Sequence, residues 1–174
     1  MSTNSISTAP TSENVIRQGN GIIYTNACGE YHRLDGPAIE WGDGSKFWWQ
    51  NGKRHRLDGP ATERSDGSKA WWVDGKLHRW DGPAVEHAIG HKEWWIRGML
   101  HREDGPAAEY TTGRKVWYQN GQLHRLDGPA VEDPFYDIFS WYLDGKCYAT
   151  QKAWEKACCP SIEEAAAMFK EVQV

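Results

Sequence analysis

Long apolar runs are missing from this sequence. Nothing in its 174 residues approaches the ~18 consecutive apolar residues of a membrane-spanning helix, which excludes that class of span. Basic charge is scarce as well. Twenty Lys and Arg face 24 Asp and Glu, for a formal net charge of −4 and a pI of about 6.0. Generic binding to DNA or to an anionic membrane needs a positive field, so neither is expected. Cysteine is sparse and badly spaced for chemistry: Cys28, Cys147, Cys158 and Cys159 form neither a zinc-site pattern nor a redox Cys-x-x-Cys pair. The opening MSTNSISTAPTSEN has no basic region followed by an apolar one, so no signal peptide is expected and a reduced, cytoplasmic protein is the expectation. Aliphatic residues are thin. Hydrophobic residues make up 39% and the mean hydropathy is −0.76, lean for one compact core but tolerable for a repeat array, whose units bury surface only against neighbours.

What the chain does have is repetition. His-Arg-x-Asp-Gly-Pro-Ala occurs five times, from His32, His55, His78, His101 and His124, at a constant spacing of 23 residues. A fixed period of this length marks a repeat architecture. Eleven tryptophans supply the missing apolar area, since large aromatics bury ~150–250 Å² each.

Turn chemistry divides each copy. In the second, Asp58-Gly59-Pro60, Asp66-Gly67 and Asp74-Gly75 are three turn signals. They predict Ala61 to Arg64 and Lys69 to Val73 as antiparallel strands of a hairpin. Asn51-Gly52 and Asn120-Gly121 carry the third turn in other copies, and Arg97-Gly98 is its weakest version. The fifth copy has one extra residue before Trp141, which predicts a lengthened turn. Residues 1–20, rich in Ser, Thr and Asn, read as a loosely ordered tail. The hairpin repeats are expected over residues 21–149 and a helical cap over 150–174. Thr150 would N-cap a helix from Gln151 to Ala157. Ser161-Ile162-Glu163-Glu164 is a capping box for a second helix to about Val172. The predicted fold is all-β: an elongated antiparallel β-hairpin stack of 23-residue units with a C-terminal α-helical cap.

The segment Trp48-Trp49-Gln50-Asn51-Gly52-Lys53-Arg54-His55-Arg56-Leu57-Asp58-Gly59 resembles the MORN repeat, and Trp71-Trp72-Val73-Asp74-Gly75-Lys76-Leu77-His78 fits equally well. The likeness covers about Tyr31 to Tyr148. MORN repeats usually place Gly where this chain has Arg33, Arg56, Arg79, Arg102 and Arg125, and Asp-Gly-Pro-Ala is atypical. In this it resembles a MORN-variant group of bacteriophage and giant-virus proteins. The resemblance implies a scaffold or interaction module, and from the phage likeness a protein that binds and modulates a host factor.

Two ladders are the candidate binding surface. Trp48/Trp49, Trp71/Trp72, Trp94/Trp95, Trp117/Tyr118 and Trp141/Tyr142 are adjacent pairs, so each pair within one strand points to opposite faces. The first position is always Trp and is assigned to the core. The second, at Trp49, Trp72, Trp95, Tyr118 and Tyr142, accepts Tyr and suits a half-exposed site. Arg33, Arg56, Arg79, Arg102 and Arg125 form the other ladder. It reads either as ion pairs with Asp or Glu of the next copy, or as an array of forks for phosphates or carboxylates. Copy two is balanced, with Arg56, Arg64, Lys69 and Lys76 against Asp58, Glu63, Asp66 and Asp74. In copy one Arg33, Lys46, Lys53 and Arg54 outnumber Asp35, Glu40 and Asp43, and copy five is acidic. That gradient suits an oriented protein partner rather than a uniform polyanion.

Histidines one repeat apart cannot converge on one metal ion, so no metal is expected, nor any cofactor. No nucleophile recurs beside His, and no enzymatic activity is expected. The expected function is a protein-interaction repeat module that binds a protein partner or another copy of itself. The alternatives are sequestration of a nucleotide or other anionic small ligand, and a self-assembling structural component. The discriminating observation is which second-position aromatics are exposed and whether an arginine beside them lacks a carboxylate neighbour.

Overall fold

The tightest geometric demand falls on the third turn of each copy. Asn51-Gly52, Asp74-Gly75, Arg97-Gly98, Asn120-Gly121 and Asp144-Gly145 all have positive φ at both central residues, 47° to 53° at the first and 71° to 84° at the second. This is the two-residue hairpin turn whose twist matches that of the flanking strands. Asn and Asp tolerate the left-handed region because their short side chains bond locally; Arg97 does not share that advantage. The structure is a computed structural model that describes residues 14–158, and the chain divides into two units, Met1–Leu77 and His78–Val174.

In the first unit, Asn14–Gln18 pairs with Gly21–Thr25. Residues 14–20 are therefore half of a hairpin, a correction to the loosely ordered tail expected over 1–20. Ile39–Glu40, Lys46–Phe47, Thr62–Glu63 and Lys69–Ala70 follow as antiparallel neighbours. Their register sets Lys46 between Glu40 and Glu63, and Glu63 beside Lys69. Opposite charges directly across strands contribute ~0.2–1 kcal/mol per pair. Two side hairpins, Trp49–Gln50 with Lys53–Arg54 and Trp72–Val73 with Lys76–Leu77, carry the tight turns.

The second unit repeats the scheme. Val85–Glu86, Lys92–Glu93, Ala108–Glu109, Lys115–Val116, Val131–Asp133 and Ile138–Leu143 are successive antiparallel neighbours, with Glu86, Lys92, Glu109, Lys115 and Glu132 alternating in sign across the register. Trp95–Ile96 pairs with Met99–Leu100, and Tyr118–Gln119 with Gln122–Leu123. The lengthened turn before Trp141 ends at Asp137, with φ 53°. The helix Gln151–Cys158 packs on Ile138–Leu143 and on Lys146–Tyr148. Thr150 caps it, its hydroxyl accepting the Ala153 N–H at 3.2 Å, and Trp154 is buried with its indole N–H on the Arg125 carbonyl. The expected second helix from Ser161 lies outside the described residues.

The strands are shorter than the sequence suggests, and they break at the first tryptophan. Trp48, Trp71, Trp94 and Trp117 sit between two strands rather than inside one. The N–H of Trp48 goes to the Ala61 carbonyl, and Trp94 and Trp117 bond Ala107 and Ala130 in the same way. Only Trp141 lies within a continuous strand. The core is different too. Ala38, Ala61, Ala84, Ala107 and Ala130, the last residue of each His-Arg-x-Asp-Gly-Pro-Ala copy, are 0% exposed, whereas both tryptophan positions are only half-buried. The first tryptophan is not the buried centre; the alanine is, because the backbone of the preceding copy must come within hydrogen-bonding distance of it. Substituting Ala107→Leu should overpack this site and lower stability by ~1–3 kcal/mol. Arg97→Asn should raise it by about 1 kcal/mol by relieving the left-handed backbone. Thermal unfolding of the two variants checks both signs.

Candidate functional site

Each His-Arg-x-Asp-Gly-Pro segment is a loop curled around its own arginine. Arg56 donates from Nε to Asp58 Oδ1 at 2.9 Å and from Nη1 to the Pro60 carbonyl and Glu63 Oε1, both at 3.2 Å. Arg33, Arg79 and Arg102 repeat these bonds with Asp35, Pro37 and Glu40, with Asp81, Pro83 and Glu86, and with Asp104, Pro106 and Glu109. Arg125 binds Asp127, Pro129 and Glu132. The carboxylates come from the same copy, not the next one as the spacing suggested. What reaches across copies is the aromatic face. The guanidinium lies over the ring of the first-position residue before it: Arg56 over Trp48 at 4.1 Å, Arg102 over Trp94 at 4.0 Å, Arg125 over Trp117 at 3.8 Å, and Arg33 over Tyr24 at 4.0 Å. Desolvated cation–π contacts contribute up to ~2 kcal/mol. The loop glycine lets the guanidinium sit close: a Cβ on Gly59 would stand 3.0 Å from Arg56 Cζ, and one on Gly128 2.9 Å from Arg125 Cζ, so a larger residue would push the arginine aside.

The arginine ladder is thus a row of internally matched clamps. It holds each loop in place and leaves little capacity for a row of external anions. The histidines are structural as well. Nδ1 of His32, His78 and His101 accepts the backbone N–H of Asn51, Arg97 and Asn120, each at the first residue of a tight turn. His55 and His124 accept from Asp74 and Asp144 in the same way and lie against those carboxylates. Among the described residues no three His, Cys, Asp or Glu side chains gather as a metal site.

The second aromatic positions, Trp49, Trp72, Trp95, Tyr118 and Tyr142, are all half-buried. Trp95 donates its indole N–H to Glu93 at 2.8 Å, burial pushes the Tyr118 phenol up, and a hydrogen bond with Cys147 does the same to Tyr142. Their carbonyls accept the N–H of the arginine in the same copy, as in Arg56 to Trp72 and Arg102 to Tyr118.

A surface that the sequence reading passed over lies at the variable position of His-Arg-x-Asp. Leu34 and Leu57 in the first unit are 64% and 80% exposed; Trp80 and Leu126 in the second are 74% and 63% exposed. Glu103 takes the remaining place. The signal was present: a large apolar residue recurring inside a polar turn. Grooves run between successive loops. One, of about 550 Å³, lies between the Leu34 and Leu57 loops above Trp48; another, of about 710 Å³, lies between the Trp80 and Glu103 loops above Trp94. The aspartate beside each tip is held below the usual carboxylate range by its hydrogen bond to arginine and by that charge.

No protein-family model matches the chain, and comparison with curated proteins finds no match. The likeness to MORN repeats therefore rests on the repeat residues alone.

The aspartate shifts set a pH window. A carboxyl group whose folded value is depressed stabilises the fold above its unfolded value, near pH ~4, and that contribution is lost as pH falls through the lower folded value. Thermal stability should hold on this account down to about pH 4 and decline below it. In Arg102→Gln, the Asp104 carboxyl should return towards its ordinary value while Asp58 stays depressed. Carboxyl-carbon NMR titration reads each aspartate separately.

Proposed function

We propose that this chain is a non-enzymatic, MORN-like repeat module that binds a protein partner through its loop tips and works in the cytoplasm. One observation carries this reading: the loops hold large apolar side chains out of their own fold. Leu57 at 80% and Trp80 at 74% exposure give up most of the ~1.5–3 kcal/mol that burying such a side chain returns. The clamps beneath them keep the loop backbone rigid, so little ordering entropy is lost on binding. Each tip has an ionised aspartate beside it, which favours a partner that combines apolar and basic residues. Exposed thiols at Cys28 and Cys147 are suited to a reducing compartment. The phage-like character of the repeats supports a host factor as the partner, and a second copy of the chain is the alternative occupant.

The test compares wild type with Leu57→Asp/Trp80→Asp, two exposed changes that should leave the circular dichroism unaltered. Affinity capture from host lysate at several salt concentrations should retain a protein on wild type that the variant loses. Capture of nothing above background, or equal capture by both, defeats the reading. Sedimentation separates the alternative: association that the double variant abolishes makes the partner another copy.

A further inference from the structure

One arginine in the first unit departs from the pattern. Arg54 stands across its hairpin from Trp49, a place where Leu77 stands opposite Trp72, Leu100 opposite Trp95, and Leu123 opposite Tyr118. A cation has replaced leucine in a half-buried apolar seam. Its guanidinium lies 5.1 Å from the Trp49 ring, 5.3 Å from Trp72 and 5.6 Å from Phe47. Unlike the clamp arginines, it has no carboxylate partner among the described residues. Its Nε is buried without an acceptor, and so are the indole N–H groups of Trp49 and Trp72. Nη1 and Nη2 are not among the buried atoms that lack a partner and bond no described residue, so the end of the fork faces solvent. Among the described residues the charge felt nearby is another cation, the exposed Arg64. Desolvation first and Arg64 second hold Arg54 below the usual arginine value.

Attraction to three rings offsets part of the desolvation of this cation, but it satisfies none of the N–H groups. An unmatched guanidinium where leucine fits is a local rule broken without a folding gain, the kind of departure that marks a binding position. We propose that Arg54 anchors an oxyanion site for a small phosphate monoester, with Nη1 and Nη2 gripping two phosphate oxygens end-on and Arg64 supplying the second charge. The fork matches either carboxylate or phosphate; two cations that feel each other, neither with a carboxylate partner among the described residues, favour the group of ≈ −1.5 to −2 charge over the singly charged one. The site is separate from the loop tips and does not depend on their role.

Tryptophan emission reports directly on the seam, because Trp49 and Trp72 line it. Titration with inorganic phosphate and with adenosine monophosphate, at constant ionic strength in chloride, should give a saturable change for both and none for adenosine. If the two phosphates bind alike, the free ion suffices; if the nucleotide binds tighter, the ester is the ligand. Arg54→Leu, which installs the residue of the next three copies, should weaken binding by about tenfold or more without lowering the melting temperature. Arg64→Ala should weaken it by a smaller factor and leave the aromatic packing unchanged. No saturable change in wild type to about 10 mM phosphate overturns the proposal. So does an Arg54→Leu variant that binds as wild type does, or one whose melting temperature falls well below it, which would make Arg54 a packing element. None of these outcomes bears on partner capture by the loop tips.

Discussion

A guanidinium inside each loop is the contact on which the repeat depends. It is fixed in its own plane by the aspartate, the proline carbonyl and the glutamate of one copy, and its flat face covers a ring of the copy before, as with Arg102 between Asp104, Glu109 and Trp94. The in-plane bonds shape the loop; the face contact joins it to its neighbour. The glutamate so held is also the residue that faces lysine across the strands, as Glu109 faces Lys92 and Lys115. A single side chain therefore links loop curvature, copy stacking and strand register. Isolated surface ion pairs contribute little, but here one largely covered arginine is shared between two carboxylates, an exposed aspartate and a half-buried glutamate.

Alanine and tryptophan divide the apolar work in an unusual way. The alanines are fully buried because small residues allow the backbone of adjacent copies to meet, carbonyl to N–H. The tryptophans stay half-buried and act as platforms for guanidinium groups. A chain with few aliphatic residues can hold together on this basis, since stacking a cation on an indole uses the aromatic face without needing a deep core. The arrangement also directs recognition outward. Side chains at the loop apices stay largely exposed, as Leu57 and Trp80 do.

Much of the fold was legible in the sequence because turn chemistry is local. Asn51-Gly52 and Asp74-Gly75 state their backbone conformation in two residues, and the 23-residue period places every copy. Thr150 and the helix after it follow from capping rules equally local. Burial was less legible. Whether Trp48 or Ala61 is innermost depends on how closely neighbouring copies approach, and no pattern of hydrophobicity within one copy contains that distance. The arginine partners were misread for a related reason: an extended loop would point Arg56 at the next copy, and the Gly-Pro curl folds it back onto its own Glu63. The first strand was hidden by composition. Asn14–Gln18 adjoins a Ser- and Thr-rich stretch, yet Val15-Ile16 followed by Gly19-Asn20 was a hairpin signal of ordinary strength. At the candidate sites, spacing found the ladders but not the leucine positions that Arg54 interrupts, which become visible only once the hairpin partners are aligned.

Copies this similar create an ambiguity for the folding chain. Glu63 and Glu109 make the same bonds to the same residue types, so a strand displaced by one whole period meets almost every partner it expects. Nothing in the repeated part distinguishes the right alignment from one shifted by 23 residues, within a molecule or between two molecules exchanging segments. The irregular places do distinguish it. Tyr24 stands where later copies have tryptophan, Arg54 where the next three have leucine, and the lengthened loop at Pro134 and the helix carrying Trp154 occur once each. These exceptions work as alignment marks, and losing them would be felt first as swapped or mispaired chains rather than as a weaker fold.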